Sequence, residues 1–428
     1  MAAAVAVEVP DESRRLVDRR MALAREWDEL VGRVRDIPGF ADFLRPPRPA
    51  GLLPATRGGP VVAVNVSVTR CDALVVRADG VSDVPLPDLT AADVEHRVRG
   101  YLAVSVGVED AARALASARR EVERGEGGRA AVVRYDAAKR GYLAAREAME
   151  LGLLKVAAWL WDVVAGPVLA ELGFTEVADV PPRLWWCPTG LLSLLPLHAA
   201  GHHVEGRAVL DRVVSSYTPT LRALLDANRP VGDVDRRMLV VALPEREGQP
   251  PLPAVNRERD LLTRLFADRT LLEGADATWD AVRAALPGHG WVHFSCHGGQ
   301  DLARPSSGGL LLHDRVLTVG DIGAARYQGE FVFLSACKTA MGGFRLADEA
   351  ITLTAALHYT GYRHVVGTLW SVYDTTAATV AESVYTELTA SGRFEPERSA
   401  RALHDAVRAV RAAGGPPSAW MPFTHTGP

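Results

Sequence analysis

Apolar residues recur at helical spacing near the start of the chain, at Leu16, Met21, Leu23, Trp27, Leu30, Val31 and Val34, and predict a helix from about Asp11 to Arg35. Asp11 or Ser13 is the expected N-cap. The stretch IPGFADFLRPPRPAGLLPATRGGP then piles up proline and glycine and reads as a connector. In VVAVNVSVTRCDALVVRADG, β-branched residues flank a turn near Thr69 to Asp72, which predicts a β-hairpin. Helical spacing returns from Ala91 to Glu150, interrupted by ERGEGGRA. The apolar run LGLLKVAAWLWDVVAGPVLAELG contains Lys155 and Asp162, and Pro167 would break it, so it reads as a buried helix and not as a membrane span.

After Gly173 short strand-like runs follow at RLWWCP, LLSLLPL and AVLDRVVSSY, then a helix from near Pro219 with Leu221, Leu224 and Leu225 on its apolar side. Further strands are predicted at RMLVVAL, RTLLEG, GWVHFSC, EFVFLSAC and RHVVGTLW. Helices alternate with them near Pro253 to Ala267, Thr278 to Ala285, Leu346 to Thr360 and Thr375 to Ala390. That rhythm predicts an α/β fold, a mostly parallel sheet with helices on both faces. Three parts are expected: a helix and connector (1–59), a helical and partly β half (60–229) and an α/β half (236–428).

Composition narrows the class. The 428 residues are 48% hydrophobic and 23% charged, which fits a chain with a substantial core and excludes a disordered or fibrous one. With 48 basic against 52 acidic residues and a net charge of −4, no electrostatic footprint for nucleic acid or an anionic membrane is expected. Nearly all the basic residues are arginine, the lysines being Lys139, Lys155 and Lys338, which together with the abundant alanine, glycine and valine suggests a GC-rich bacterial genome. Four scattered cysteines without a CxxC pair read as reduced thiols, and MAAAVAVEVPDESRR lacks the basic start of a signal peptide, so a cytoplasmic location is expected. No phosphate-binding glycine loop follows any strand, and no cofactor is expected.

Two segments carry the chemistry. WVHFSCHGGQD and EFVFLSACKTAMGG are apolar strands that end in His297 and Cys337, each followed by small residues. In an open parallel sheet ligands bind beyond the carboxyl ends of the strands. If the two are neighbours, imidazole and thiol face one cleft and can carry out nucleophilic acyl transfer, the thiolate attacking and the imidazole protonating the leaving amine. Backbone N–H groups of Gly298 and Cys337 are then candidate oxyanion donors, a contribution of roughly 3–4 kcal/mol in such sites. Cys296 alternates away from the face shared by His293, Ser295 and His297 and reads as structural. His293 reads as a residue that buttresses His297; a zinc site with Cys337 and His313 lacks convincing ligand spacing, and no metal is expected.

HFSCHG, LSACKTAMGG, YRHVVGTLWSVYDTTA, WWCPTGLLSLLPLHAAG and the closing WMPFTHTG together closely resemble the CHAT domain, a branch of the caspase and separase clan of cysteine peptidases. The resemblance runs from about Ile37 to the C-terminus. It implies a caspase-like sheet preceded by a smaller pseudo-protease-like part, a His297–Cys337 dyad, and the amides of Gly298 and Cys337 as the oxyanion hole. It also implies a protein substrate and an enzyme held latent until a sensor or activating partner releases it, with a role in bacterial defence or cell death. Many relatives carry helical repeats ahead of the domain; here only the opening helix stands there, so the sensor is expected elsewhere or this chain is part of a longer one.

Within LWSVYD, Trp370 and Asp374 are candidate substrate-binding residues. Separases present an acid in a similar setting, which suggests a basic side chain before the scissile bond, while the structural alternative makes Asp374 the cap of a helix beginning at Thr375. Asp301 is a third candidate, or a solvated loop charge. The loop KTAMGGFRLADE is expected to reorder on substrate binding or activation, or to be a passive surface loop. Two other functions stay open: a catalytically silent caspase-like adaptor, and a thiol-dependent amide hydrolase or acyltransferase acting on a small molecule.

Overall fold

The structure, a computed structural model, describes residues 11–45, 47–229, 235–301, 303–342, 349 and 351–428. The side chains of Asp11 and Ser13, the chain start before them and half of the expected reordering loop (343–348) lie outside the described residues. The chain divides into two compact units, Met1–Leu52 and Leu53–Pro428. The first contains the expected helix, α1 (Asp11–Arg35), with Leu16, Leu23, Trp27 and Leu30 exposed.

The second unit opens with β1 (Val61–Asn65) and β2 (Asp72–Arg77), the antiparallel pair that the sequence predicts, to which β3 (Gly80–Pro85) adds a third strand. Two long helices follow, α2 (Ala91–Glu123), capped by the Thr90 hydroxyl on the Asp93 N–H, and α3 (Gly128–Leu160). The turn between them places Gly125 and Gly127 at φ of 71° and 70°, a left-handed backbone that glycine adopts at no steric cost. Pro167 does not end the apolar helix. The backbone widens into a π-helical turn at Trp161–Ala165 and continues through Gly166–Glu171, absorbing the missing N–H and the ring. By length and composition alone Gly128–Glu171 could cross a membrane, but Leu153, Val156, Leu160, Val164 and Val168 are buried in the main apolar core.

The remaining principal elements are β4 (Arg183–Pro188), β5 (Val214–Tyr217), β6 (Met238–Ala242), α4 (Val255–Leu265), β7 (Arg269–Glu273), β8 (Trp291–Ser295), β9 (Gly329–Ser335), α5 (Leu353–Thr360), β10 (Tyr362–Thr368), α6 (Asp374–Thr389), α7 (Ser399–Ala412) and β11 (Phe423–Thr426). Among the described residues eleven strands form one sheet, in the order β3-β2-β1-β4-β5-β11-β10-β9-β8-β6-β7. It is parallel from β1 through β4 and β5 to β11, and again from β10 through β9, β8 and β6 to β7. The last strand of the chain, β11, sits between the two runs, parallel to β5 and antiparallel to β10.

Burial follows the pleat. Val240, Ala242, Phe331 and Phe333 enter the main core on one face, and Leu239, Val241, Val292, Phe294 and Leu334 enter a second core on the other.

Candidate active site

Strands β8 and β9 pair in register, Ser295 opposite Ser335. Two residues beyond that last pair stand His297 and Cys337, at the carboxyl ends of adjacent parallel strands. Gly298 packs directly on the Cys337 backbone: a Cβ there would lie 2.4 Å from the Cys337 carbonyl oxygen and 3.2 Å from its nitrogen. The Leu311 N–H donates to the His297 carbonyl at 2.8 Å, which makes Gly298 and Leu310 a non-hydrogen-bonded pair of the small antiparallel sheet beyond β8. The Gly298 N–H is therefore not spent on that strand.

His297 is half-buried, and its Nε2 donates to the Pro250 carbonyl at 2.8 Å. That contact puts the proton on Nε2 and leaves Nδ1 as the basic atom of the neutral ring. Pro250 is the orienting group that sequence reasoning missed, since its contribution is a main-chain oxygen in a proline-rich linker. The linker is tied down in turn by Asp374, whose Oδ2 accepts from the Ala254 N–H at 3.0 Å while Oδ1 accepts from Thr375 N–H at 2.9 Å. The helix begins at Asp374 itself with Tyr373 as N-cap and no side-chain cap bond, so the expected cap takes another form: the carboxylate joins the first turn of α6 to the linker.

The Cys337 thiol lies 3.9 Å from the Val372 carbonyl oxygen. Burial pushes its pKa up, against the pull of Ser371 and Lys338, so the resting group is a neutral thiol. Lys338, the next residue, holds a left-handed backbone at φ 60°. Its ammonium pairs with Glu109 of α2 at 2.7 Å, and the Ser371 hydroxyl donates to the same carboxylate oxygen at 3.1 Å. Glu109 was not singled out by sequence, being one of many acids on an exposed helix.

Beneath the pair lies a closed polar network. The fully buried His293 bonds through Nε2 to Glu258 of α4 at 2.7 Å and through Nδ1 to the Tyr385 hydroxyl at 3.1 Å, and its ring stacks on Phe333. The other Glu258 oxygen accepts from Ser335 Oγ at 2.9 Å. The strand alternation that sets His293 below His297 also sets Ser335 below Cys337, so one buried carboxylate anchors both strands under the candidate site. Cys296 is 2% exposed in the second core, and burial pushes its thiol up to about 12. Among the described residues no group of three or more His, Cys, Asp or Glu is arranged to hold a metal ion.

The remaining candidates stand apart from the thiol. Trp370 is 1% exposed, its indole N–H donates to the Ser418 carbonyl and its ring packs on Tyr101, so it supports the segment 370–373 from inside and offers no face to a substrate in this conformation. Asp301 accepts from the N–H groups of Ala303 and Arg304 and pairs with the Arg304 side chain, and these bonds hold its pKa low; it shapes its own loop.

The model of the CHAT domain family matches residues 154–428. Saccharomyces cerevisiae separase, in two crystal structures of a separase–securin complex, is structurally similar at 9% identity, with TM-scores of 0.55 and 0.52. Both matches cover 89% of this chain but only 31% and 30% of the separase chains. No curated protein matches the sequence.

Proposed function

The chain belongs to the CHAT domain family, and from that premise we propose that it is a cysteine endopeptidase that cleaves a protein substrate through a thioester on Cys337. The observation that carries the reading is the joint placement of His297, Gly298 and Cys337 at two adjacent parallel strand ends, with Gly298 against the Cys337 backbone. An adaptor needs none of the three.

The steps follow from the residues. His297 Nδ1 takes the proton of the Cys337 thiol, and the sulfur attacks the scissile carbonyl. The oxyanion is met by the N–H groups of Gly298 and Cys337. The imidazolium, held through its Nε2–H by Pro250, gives its proton to the departing amine, leaving a thioester that water hydrolyses with His297 again as base. Asp374 acts at one remove, fixing the linker that carries Pro250. On this reading the enzyme is restrained until a partner protein or a cleavage event releases it.

Peptide-library proteolysis by the full chain, read by mass spectrometry with and without candidate activators, tests the reading. Wild type cleaves, and Cys337→Ala and His297→Ala each fall by at least about 10³-fold, the scale on which such dyads act. Cleavage that survives Cys337→Ala contradicts it. A product formed only from small-molecule amides or acyl donors moves the chain to the acyltransferase reading.

A further inference from the structure

Groups that bear on the Cys337 thiol come from several elements. The neighbouring strand brings His297 and Cys296, its own loop Lys338, and the segment before α6 Ser371 and Tyr373. From the helical pair comes Glu109 on α2, while Tyr101 on α2 and Tyr142 and Arg146 on α3 meet Trp370 and Tyr373 of that segment. Two of these groups can stabilise a thiolate at close range, the Lys338 ammonium by charge and the Ser371 hydroxyl by hydrogen bonding. Both are at the same time bound to one oxygen of Glu109, at 2.7 and 3.1 Å.

We propose that Glu109 is a positioning residue for the nucleophile: by pairing with the Lys338 ammonium and accepting from the Ser371 hydroxyl it offsets the pull of both on the Cys337 thiolate, so that ionisation of the thiol depends on the seating of the α2–α3 pair. The inference rests on reading Cys337 as the nucleophile, and it extends that reading to a residue outside the matched region 154–428. Three further observations support it. Lys338 has a left-handed backbone, a conformation unfavourable to a lysine, and from it the side chain reaches an ion pair on another element. The same helical pair grips the neighbouring segment again, through the Tyr142 and Tyr373 hydroxyls at 2.5 Å, the Arg146 guanidinium over the Tyr373 ring and the Tyr101 ring against Trp370. The Val372 carbonyl lies against the thiol in the middle of that gripped segment. Withdrawing α2 would therefore free Lys338 and Ser371 and loosen the segment over the sulfur in one movement.

The test is the pH profile of iodoacetamide alkylation at Cys337 in the full chain, quantified by peptide mass spectrometry. Glu109→Gln leaves the Lys338 charge unpaired beside the thiol, and the alkylation midpoint moves to lower pH by about one unit, or about tenfold in rate below the midpoint. Lys338→Met moves it to higher pH, and the double variant returns close to wild type. An unchanged or alkaline-shifted midpoint in folded Glu109→Gln overturns the proposal. Should that variant lose its fold, an unchanged midpoint in Lys338→Met overturns it equally. Alkylation reads the thiol and not turnover. A shifted profile in a chain that cleaves no peptide leaves this inference standing without the endopeptidase reading, and an unshifted profile in an active protease does the reverse.

Discussion

Strands β4 and β5 in one half of the sheet, and β8 and β9 in the other, are each a parallel pair whose carboxyl end carries a thiol, Cys187 in the first and Cys337 in the second. The residue that follows β5 is Thr218, whose hydroxyl is committed to the Thr220 carbonyl; just beyond β8 stands His297. Pro188, which has no N–H, follows Cys187, and the Cys187 sulfur lies 3.6 Å from the Pro219 carbonyl oxygen. Burial alone pushes the Cys187 thiol up to about 11, whereas at Cys337 the Lys338 charge and the Ser371 hydroxyl oppose burial. A thiol at a strand end is therefore not enough. What separates the two ends is an imidazole on the adjacent strand end, a glycine allowing close approach and a cation within reach.

The sharpest way to break this contrast is to remove what only the second pair stands on. Glu258→Ala strips the buried carboxylate from His293 and Ser335 and is expected to cost about 3–5 kcal/mol, the usual penalty for breaking a buried pair, measured by denaturant unfolding. A smaller effect on stability and a large one on rate is expected from Gly298→Ala, whose Cβ would displace the Cys337 backbone and misalign an oxyanion donor. Peptide cleavage falls by about 10²-fold or more.

Acid acts next, and on the seam between the halves. Burial pulls His198 and His358 down to about 4 and His404 to about 3, and pulls His364 and His425 well below 6.5. Each is neutral when folded and takes up a proton near pH 6.5 when unfolded, so the unfolded state binds more protons below that pH. Stability is then full above about pH 6.5 and declines as pH falls from there toward 4, which thermal melts between pH 7.5 and 5 will read as a falling Tm. The smallest effect is expected at the first pair: Cys187→Ala changes the cleavage rate by less than about twofold, since the site takes nothing from that thiol.

Much of this was legible in the chain. The strands ending in His297 and Cys337 are short apolar runs stopped by glycine or polar residues, and the hairpin around Cys71 and the helices following β6 and β10 lie close to where periodicity puts them. Other elements were not read. β11 is four residues, three of them threonine or histidine, and becomes a strand only because β5 and β10 both offer it an edge. In α7 the signal was present in Leu403, Val407 and Val410 at helical spacing and went unread. At the site, residue types announced His297 and Cys337, but Pro250 acts through a carbonyl oxygen that any residue would supply, and Glu109 reaches Lys338 across a sequence separation that no local pattern encodes.

The most direct test of the contrast is intact and peptide mass analysis of the full chain after treatment with a set of peptidyl acyloxymethyl ketones, in wild type and in His297→Ala. The account predicts a single adduct on Cys337, lost or strongly slowed without His297, with Cys187 unmodified. Equal labelling of Cys187 and Cys337, or labelling of Cys337 that does not depend on His297, would contradict it.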